Sequence, residues 1–175
     1  MDEPVTWLRS GEAPTPPIPG YEYIETTNAG AAAHVHRYRQ TATGMDVAVK
    51  ITRRPLDERT RERFTAATHL MARVSAHPFI LTILDAGMIA DGRGYLVLEY
   101  APGGSYGQVL RRRRLGVQKA LDLGVRLGGA LETAHRAGII HRDIKPGNIL
   151  VTRVGLPALG DFGISATIYD SHLQT

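Results

Sequence analysis

The sequence predicts an α+β fold in a chain of 175 residues, a length that suits one domain or two small lobes sharing a cleft. Three observations lead there. β-type runs separated by turn signals fill most of residues 21–100. A long helix with a single apolar stripe follows over 117–136. Beyond it, a ten-residue polar block, His141–Leu150, precedes a short hairpin, and Pro146 keeps that block on a loop.

The elements follow in chain order. Residues 1–20 contain Pro4, Pro14, Pro16, Pro17 and Pro19, a density that prevents helix and central strand and predicts a flexible or extended leader ending at Gly20. Tyr21–Thr27 and Ala33–Gln40 are expected to pair as strands. Thr43-Gly44-Met45 is a turn, and Val47–Ile51 a β-branched strand built around Lys50. A lysine inside such a strand calls for a partner for its ammonium. Asp57–Ser75 is predicted helical, because Phe64, Ala67, Thr68, Met71 and Val74 recur at spacings of three and four. His77-Pro78 ends it. Ile80–Ala90 and Tyr95–Tyr100 are two further strands joined by the turn Asp91–Gly94.

The helix Val117–Arg136 carries Ala120, Leu123, Leu127, Ala130, Leu131 and Ala134 on one stripe, with Gly138 suited to its C-terminal cap. It is expected to deliver Ile139-Ile140 as a buried segment, with His135 making a structural contact. Ile149–Arg153 and Leu156–Gly160 should pair across Val154-Gly155.

Composition narrows the function classes. Hydrophobic residues make up 43% of the chain, so a buried core is feasible. There is no cysteine, which removes disulfides and thiolate metal sites and suits a reducing cytoplasm, the expected location. No apolar run approaches membrane-spanning length, and Met1-Asp2-Glu3 opens no signal peptide, so no membrane segment is expected. The net charge is +4, with Arg111–Arg114 as the obvious cluster. Without interleaved aromatics or a second basic stripe it reads as a solvated helix end or loop, and no nucleic-acid partner is expected.

The chemistry concentrates in the polar block. Asp143 offers a carboxylate that can accept a proton from an attacking hydroxyl. Lys145 offers positive charge to a transferring phosphate, and Asn148 an uncharged oxygen ligand for a metal. Eleven residues past Leu150 stands Asp161-Phe162-Gly163, a second carboxylate beside an aromatic and a glycine. His-Arg-Asp-Ile-Lys-Pro-Gly-Asn-Ile-Leu followed by Asp-Phe-Gly resembles the catalytic and magnesium-binding loops of the protein kinase family, in its bacterial serine/threonine branch.

That resemblance implies a two-lobed protein-kinase-like fold with a five-stranded antiparallel sheet and one helix in the small lobe. It implies an N-lobe over 21–98, a hinge over 99–104 and the start of a C-lobe over 105–175, about the first two-thirds of such a domain. It implies ATP and magnesium as cofactors and a protein with a serine or threonine acceptor as substrate. A kinase-domain dimer is a further partner that it allows. By the same resemblance, Val35, Ala48 and Leu150 would sandwich adenine, and Gly30 would remain from the phosphate loop. Glu99 and Ala101 would offer backbone groups to the adenine edge, with Leu98 guarding the rear pocket. Lys50 would hold the α- and β-phosphates, Asn148 and Asp161 the magnesium. Asp143 would act as base and Lys145 would stabilise the transferring phosphoryl. His141 would anchor backbone in the core.

Two departures stand out. Aligned on Val35, the three glycine positions of the phosphate loop hold Asn28, Gly30 and Ala33. The helix glutamate that pairs with the strand lysine falls on Ala67 or, one residue on, Thr68. These departures leave an alternative of a different class: a pseudokinase-like nucleotide-binding or scaffold module, or an inactive fragment of a longer kinase.

Overall fold

The structure, a computed structural model, describes residues 16–29 and 33–162. Five strands form one sheet: β1 (Tyr21–Ala29), β2 (Ala33–Gln40), β3 (Asp46–Thr52), β4 (Ile83–Met88) and β5 (Gly94–Glu99). Their spatial order is β1-β2-β3-β5-β4, and every neighbouring pair is antiparallel. Helix α1 (Glu58–Val74) lies between β3 and β4 in sequence. The second lobe contributes α2 (Tyr106–Arg112), α3 (Val117–Arg136) and a hairpin of β6 (Ile149–Val151) and β7 (Pro157–Leu159).

Register sorts the sheet into two faces. Cross-strand partners place Tyr38, Val47, Val49 and Val97 on the outer face, where they pack with Ile51 and Ile18 in one buried cluster. The other face aligns Val35 with Lys50, Lys50 with Leu96, and Ala48 with Leu98. Side chains along Val47–Ile51 therefore alternate between the faces, with Ala48 and Lys50 turned toward the cleft.

The end of the leader is part of the core rather than a loose approach to it. Ile18 is buried on the outer face, and the Pro16 carbonyl accepts the Tyr38 hydroxyl at 3.0 Å. Burial pushes the Tyr38 phenol up to about 12. Proline density points to a flexible or extended leader; Pro16–Ile18 is held by apolar burial and one satisfied hydroxyl, and Pro19-Gly20 then turns into β1 with Gly20 at φ 81°. Residues 1–15 lie outside the described part.

Asp57 caps α1 by accepting the Thr60 N–H at 2.8 Å. The helix joins the lobes. Phe64 packs with Leu56 and Leu96 under the sheet. Met71 and Val74 enter a second core with Leu127, Ala130 and Ala134 of α3, with Ile149, Leu159 and Phe162 also in it. Helix α3 ends as its glycine suggested: Gly138 adopts φ 77°, its N–H reaches the His135 carbonyl at 2.9 Å, and Ile139 N–H reaches Ala134 at 2.9 Å. This is a Schellman closure.

Several expectations need correction. The strand expected over 80–90 begins at Ile83, because Phe79–Leu81 lies against β7 instead: Leu81 N–H donates to Leu159 at 3.0 Å and Leu159 N–H to Phe79 at 2.8 Å. Ile140 is 64% exposed, so only Ile139 of that pair turns inward. Ala120 and His135 are exposed as well. Pro146–Asn148 forms one 3₁₀ turn inside the expected loop. Strand β1 runs to Ala29, with Asn28 opposite Val35, so the first of the three expected glycine-loop positions belongs to the ladder. Helix α2 was missed although its capping box, Ser105 with Gln108, is written in the sequence.

Candidate active site

The polar block is held from within. His141 is almost fully buried; its Nε2 lies 2.8 Å from the Gly160 carbonyl, and its Nδ1 accepts the Asp143 N–H at 3.2 Å. Those two bonds together require the proton on Nε2. Arg142 turns the chain through a left-handed φ of 66° between them. Asn148 donates its amide to both the backbone carbonyl of Asp143 (2.8 Å) and its carboxylate (3.0 Å). Lys145 Nζ donates to the same carboxylate at 2.7 Å. Hydrogen bonds from Lys145 and Asn148 hold the exposed Asp143 carboxyl below the usual carboxylate range. Asn148 spends its NH₂ on Asp143, and its Oδ1 is left out of that network.

Gly160 connects this loop to the second carboxylate. Its carbonyl meets His141 and its N–H donates to the Asn148 carbonyl at 2.8 Å. Asp161 follows in the left-handed region, φ 59°, which aspartate tolerates better than most side chains. Its carboxylate forms an ion pair with Lys50 Nζ from β3. Phe162 turns the other way into the core, its ring centroid 4.6 Å from that of His141. Lys50, Met71, Leu96, Leu98, Asp161 and Phe162 line one cavity between the lobes.

Helix α1 meets this cavity through Met71. Ala67 and Thr68 lie one turn earlier on the same side of the helix, and Thr68 donates its hydroxyl to the Phe64 carbonyl at 2.8 Å. Glu58 and Glu62 are exposed. A carboxylate that pairs with Lys50, that of Asp161, comes from the other lobe.

The segment between the lobes is fastened at both ends. Glu99 donates its N–H to the Thr82 carbonyl at 2.9 Å, and Thr82 donates its hydroxyl to the Glu99 carboxylate at 3.3 Å. Gly104 N–H closes onto the Ala101 carbonyl at 3.1 Å. Gly103 must be glycine, since an added Cβ would come within 2.6 Å of the Val151 side chain. Leu150 sits on β6 opposite Ala158 and bridges to Ser105, so it belongs to the lower wall while Val35 and Ala48 belong to the upper. Gly30 lies outside the described residues.

One residue at this mouth escaped the sequence reading. Arg37, two residues after Val35 on the cleft face, lies over the Tyr100 ring with its Cζ 4.8 Å from the centroid. It donates to Asp46 at 3.0 Å and to Glu25 at 3.2 Å. The period-two alternation from Lys50 and Val35 carried the signal.

Residues 21–175 match the family described as protein kinase domain. The chain belongs to the protein kinase family. Its relatives put it in the bacterial serine/threonine branch. It is 42% identical over 147 residues to serine/threonine-protein kinase PknK of Mycobacterium tuberculosis, covering 83% of this chain and 13% of that protein. It is 34% identical over 154 residues to a probable serine/threonine-protein kinase of Clostridium perfringens, covering 86% of this chain and 22% of that one. The chain therefore spans a minor share of these curated relatives. The solved PknI kinase domain of M. tuberculosis superposes with TM-score 0.71 at 29% identity, over 91% of this chain and 64% of that one. Among the described residues, no helix of this kinase domain is long and apolar enough to cross a membrane.

Proposed function

We propose that this kinase domain transfers the γ-phosphoryl of Mg-ATP to a serine or threonine hydroxyl of a protein. The supporting observation is the joint made by Gly160. That one residue ties the Asp143–Lys145–Asn148 cluster to the Asp161–Lys50 pair through its carbonyl and its N–H. Phosphoryl transfer asks a protein chiefly for position and charge, and both sets of groups lie where one cleft can use them.

In this reading Asp143, exposed and ionised, receives the hydroxyl proton. Lys145, already on that carboxylate, faces the phosphoryl as it moves. Lys50 holds the α- and β-phosphates. Val35, Ala48 and Leu150 sandwich adenine, with Leu98 at the rear and Glu99 and Ala101 offering backbone groups. Asn148 Oδ1 and the Asp161 carboxylate are two hard oxygens, a donor set that fits magnesium, which takes few protein ligands beside phosphate; bound there, it supplies the charge that neutralises phosphate oxygens. ATP as donor makes the cytoplasm the compartment proposed.

A second reading, a nucleotide-binding module without turnover, draws on α1, where Ala67 and Thr68 supply no carboxylate to Lys50. Incubation with Mg-ATP labelled in the γ-phosphate and a serine-containing protein distinguishes them. Transfer that Asp143→Asn abolishes supports the kinase. Nucleotide binding without transfer supports the second reading.

A further inference from the structure

The four arginines Arg111–Arg114 are unused by everything above. All four are exposed, and none of their side chains makes a hydrogen bond or ion pair among the described residues. In the sequence no acidic residue occurs between Glu99 and Asp122, while Lys119 adds a fifth cation. On sequence alone such a run is a solvated helix end. Its position in the fold changes that reading.

Arg111 and Arg112 form the last turn of α2, and α2 is packed directly on the candidate active site. A Cβ on Gly107 would lie 3.4 Å from the Gly147 backbone, in the turn that carries Lys145 and Asn148. The start of α2 is held there by the Ser105–Leu150 bridge and by Val151 N–H on the Gly104 carbonyl at 2.8 Å. Arg111 is four residues beyond Gly107, on the same helix face and about 6 Å along the axis. An extended peptide covers roughly 3.3 Å per residue, so the rise from Gly107 to Arg111 corresponds to about two residues of a peptide running alongside α2.

We infer that Arg111 and Arg112, backed by Arg113 and Arg114, select protein substrates with acidic residues flanking the acceptor serine or threonine. The guanidinium fork matches carboxylates and phosphates in two-pronged geometry. Each exposed pair contributes little by itself, and several together give about a tenfold preference. This inference rests on the kinase reading, and its test separates the two.

Labelled twelve-residue peptides with one serine, flanked by four aspartates and glutamates, by alanines or by lysines, are titrated by fluorescence anisotropy, and their phosphorylation is followed in parallel. The acidic peptide should bind about tenfold tighter than the alanine peptide, less so in high salt. Arg111→Ala with Arg112→Ala should erase the preference, both side chains being exposed and outside the core. The paired lysine replacements should keep part of it, and Arg59→Ala on α1 all of it. Equal binding of the three peptides, or a preference that survives the double alanine variant, overturns the inference. So does tighter binding of duplex DNA or phosphatidylserine vesicles through the same arginines. Acidic-selective binding without phosphorylation keeps the inference and defeats the kinase reading; phosphorylation without selectivity does the reverse.

Discussion

The two walls of the cleft are built differently. Below, Asp143, Lys145 and Asn148 are fastened by bonds within one loop of six residues, with His141 and Gly160 behind them. Above, Lys50 projects from β3 and meets Asp161 across the cleft, while α1 brings Met71 to that side. The lower groups are therefore set by local chain geometry. The position of the lysine depends on how the lobes meet. Preorganised charge is most effective in a water-poor cleft, so the upper wall is where the rate of this kinase domain is expected to be tunable.

The largest effect should come from the lower wall. Asp143→Asn should lower phosphoryl transfer by about 10²–10⁴, the usual range for a positioned acid or base. A loss below fivefold in steady-state kinetics would remove Asp143 from that role. Next comes the upper wall. Ala67→Glu places a carboxylate one turn before Met71, where α1 has none, and should raise transfer, up to roughly a hundredfold if a few kcal/mol of preorganisation are restored. Lys50→Met should suppress transfer in both backgrounds. An unchanged or lower rate in Ala67→Glu would mean that another register of α1 faces the lysine.

A smaller effect concerns pH. The Asp143 carboxyl is depressed in the folded protein, first by Lys145 and then by Asn148. A depressed carboxyl contributes stability that is complete above its unfolded pKa and is lost as pH falls through the folded one. Activity should follow the same sign, so the acid limb lies below the usual carboxylate range. Lys145→Ala should move that limb to higher pH in a kcat/KM profile; a limb that stays put would detach it from Asp143. The smallest effect is expected at the mouth. Arg37→Ala frees Tyr100 and should raise KM for ATP about two- to fivefold with kcat unchanged, on the scale of one cation–π contact.

Much of this architecture was legible in the sequence. Helix α3 fills 117–136, as the spacing of its apolar stripe indicates, with Leu127, Ala130 and Ala134 of that stripe buried, and its end was marked by a glycine that takes positive φ. The five strands were visible as alternation. What escaped was non-local. Ile80 looks like the start of β4, but its segment pairs with β7, far ahead in the chain. Ile140 looks buried, yet the turn after α3 points it outward. Asp143, Lys145 and Asn148 stood out because a six-residue loop carries their whole network. That Lys50 meets Asp161 is set by how the lobes come together, since 111 residues separate the two in the chain. Arg37 required knowing which face of β2 borders Tyr100.

The division of labour between the walls is tested most directly by calorimetry of Mg-ATP binding to Asp161→Asn and Asp143→Asn. In the proposed roles Asp161→Asn removes a charged hard-oxygen ligand together with a partner of Lys50, and should weaken binding at least tenfold. Asp143 is proposed to serve the hydroxyl rather than the nucleotide, so Asp143→Asn should leave the Kd within twofold of the parent. Equal losses in the two variants would contradict the account.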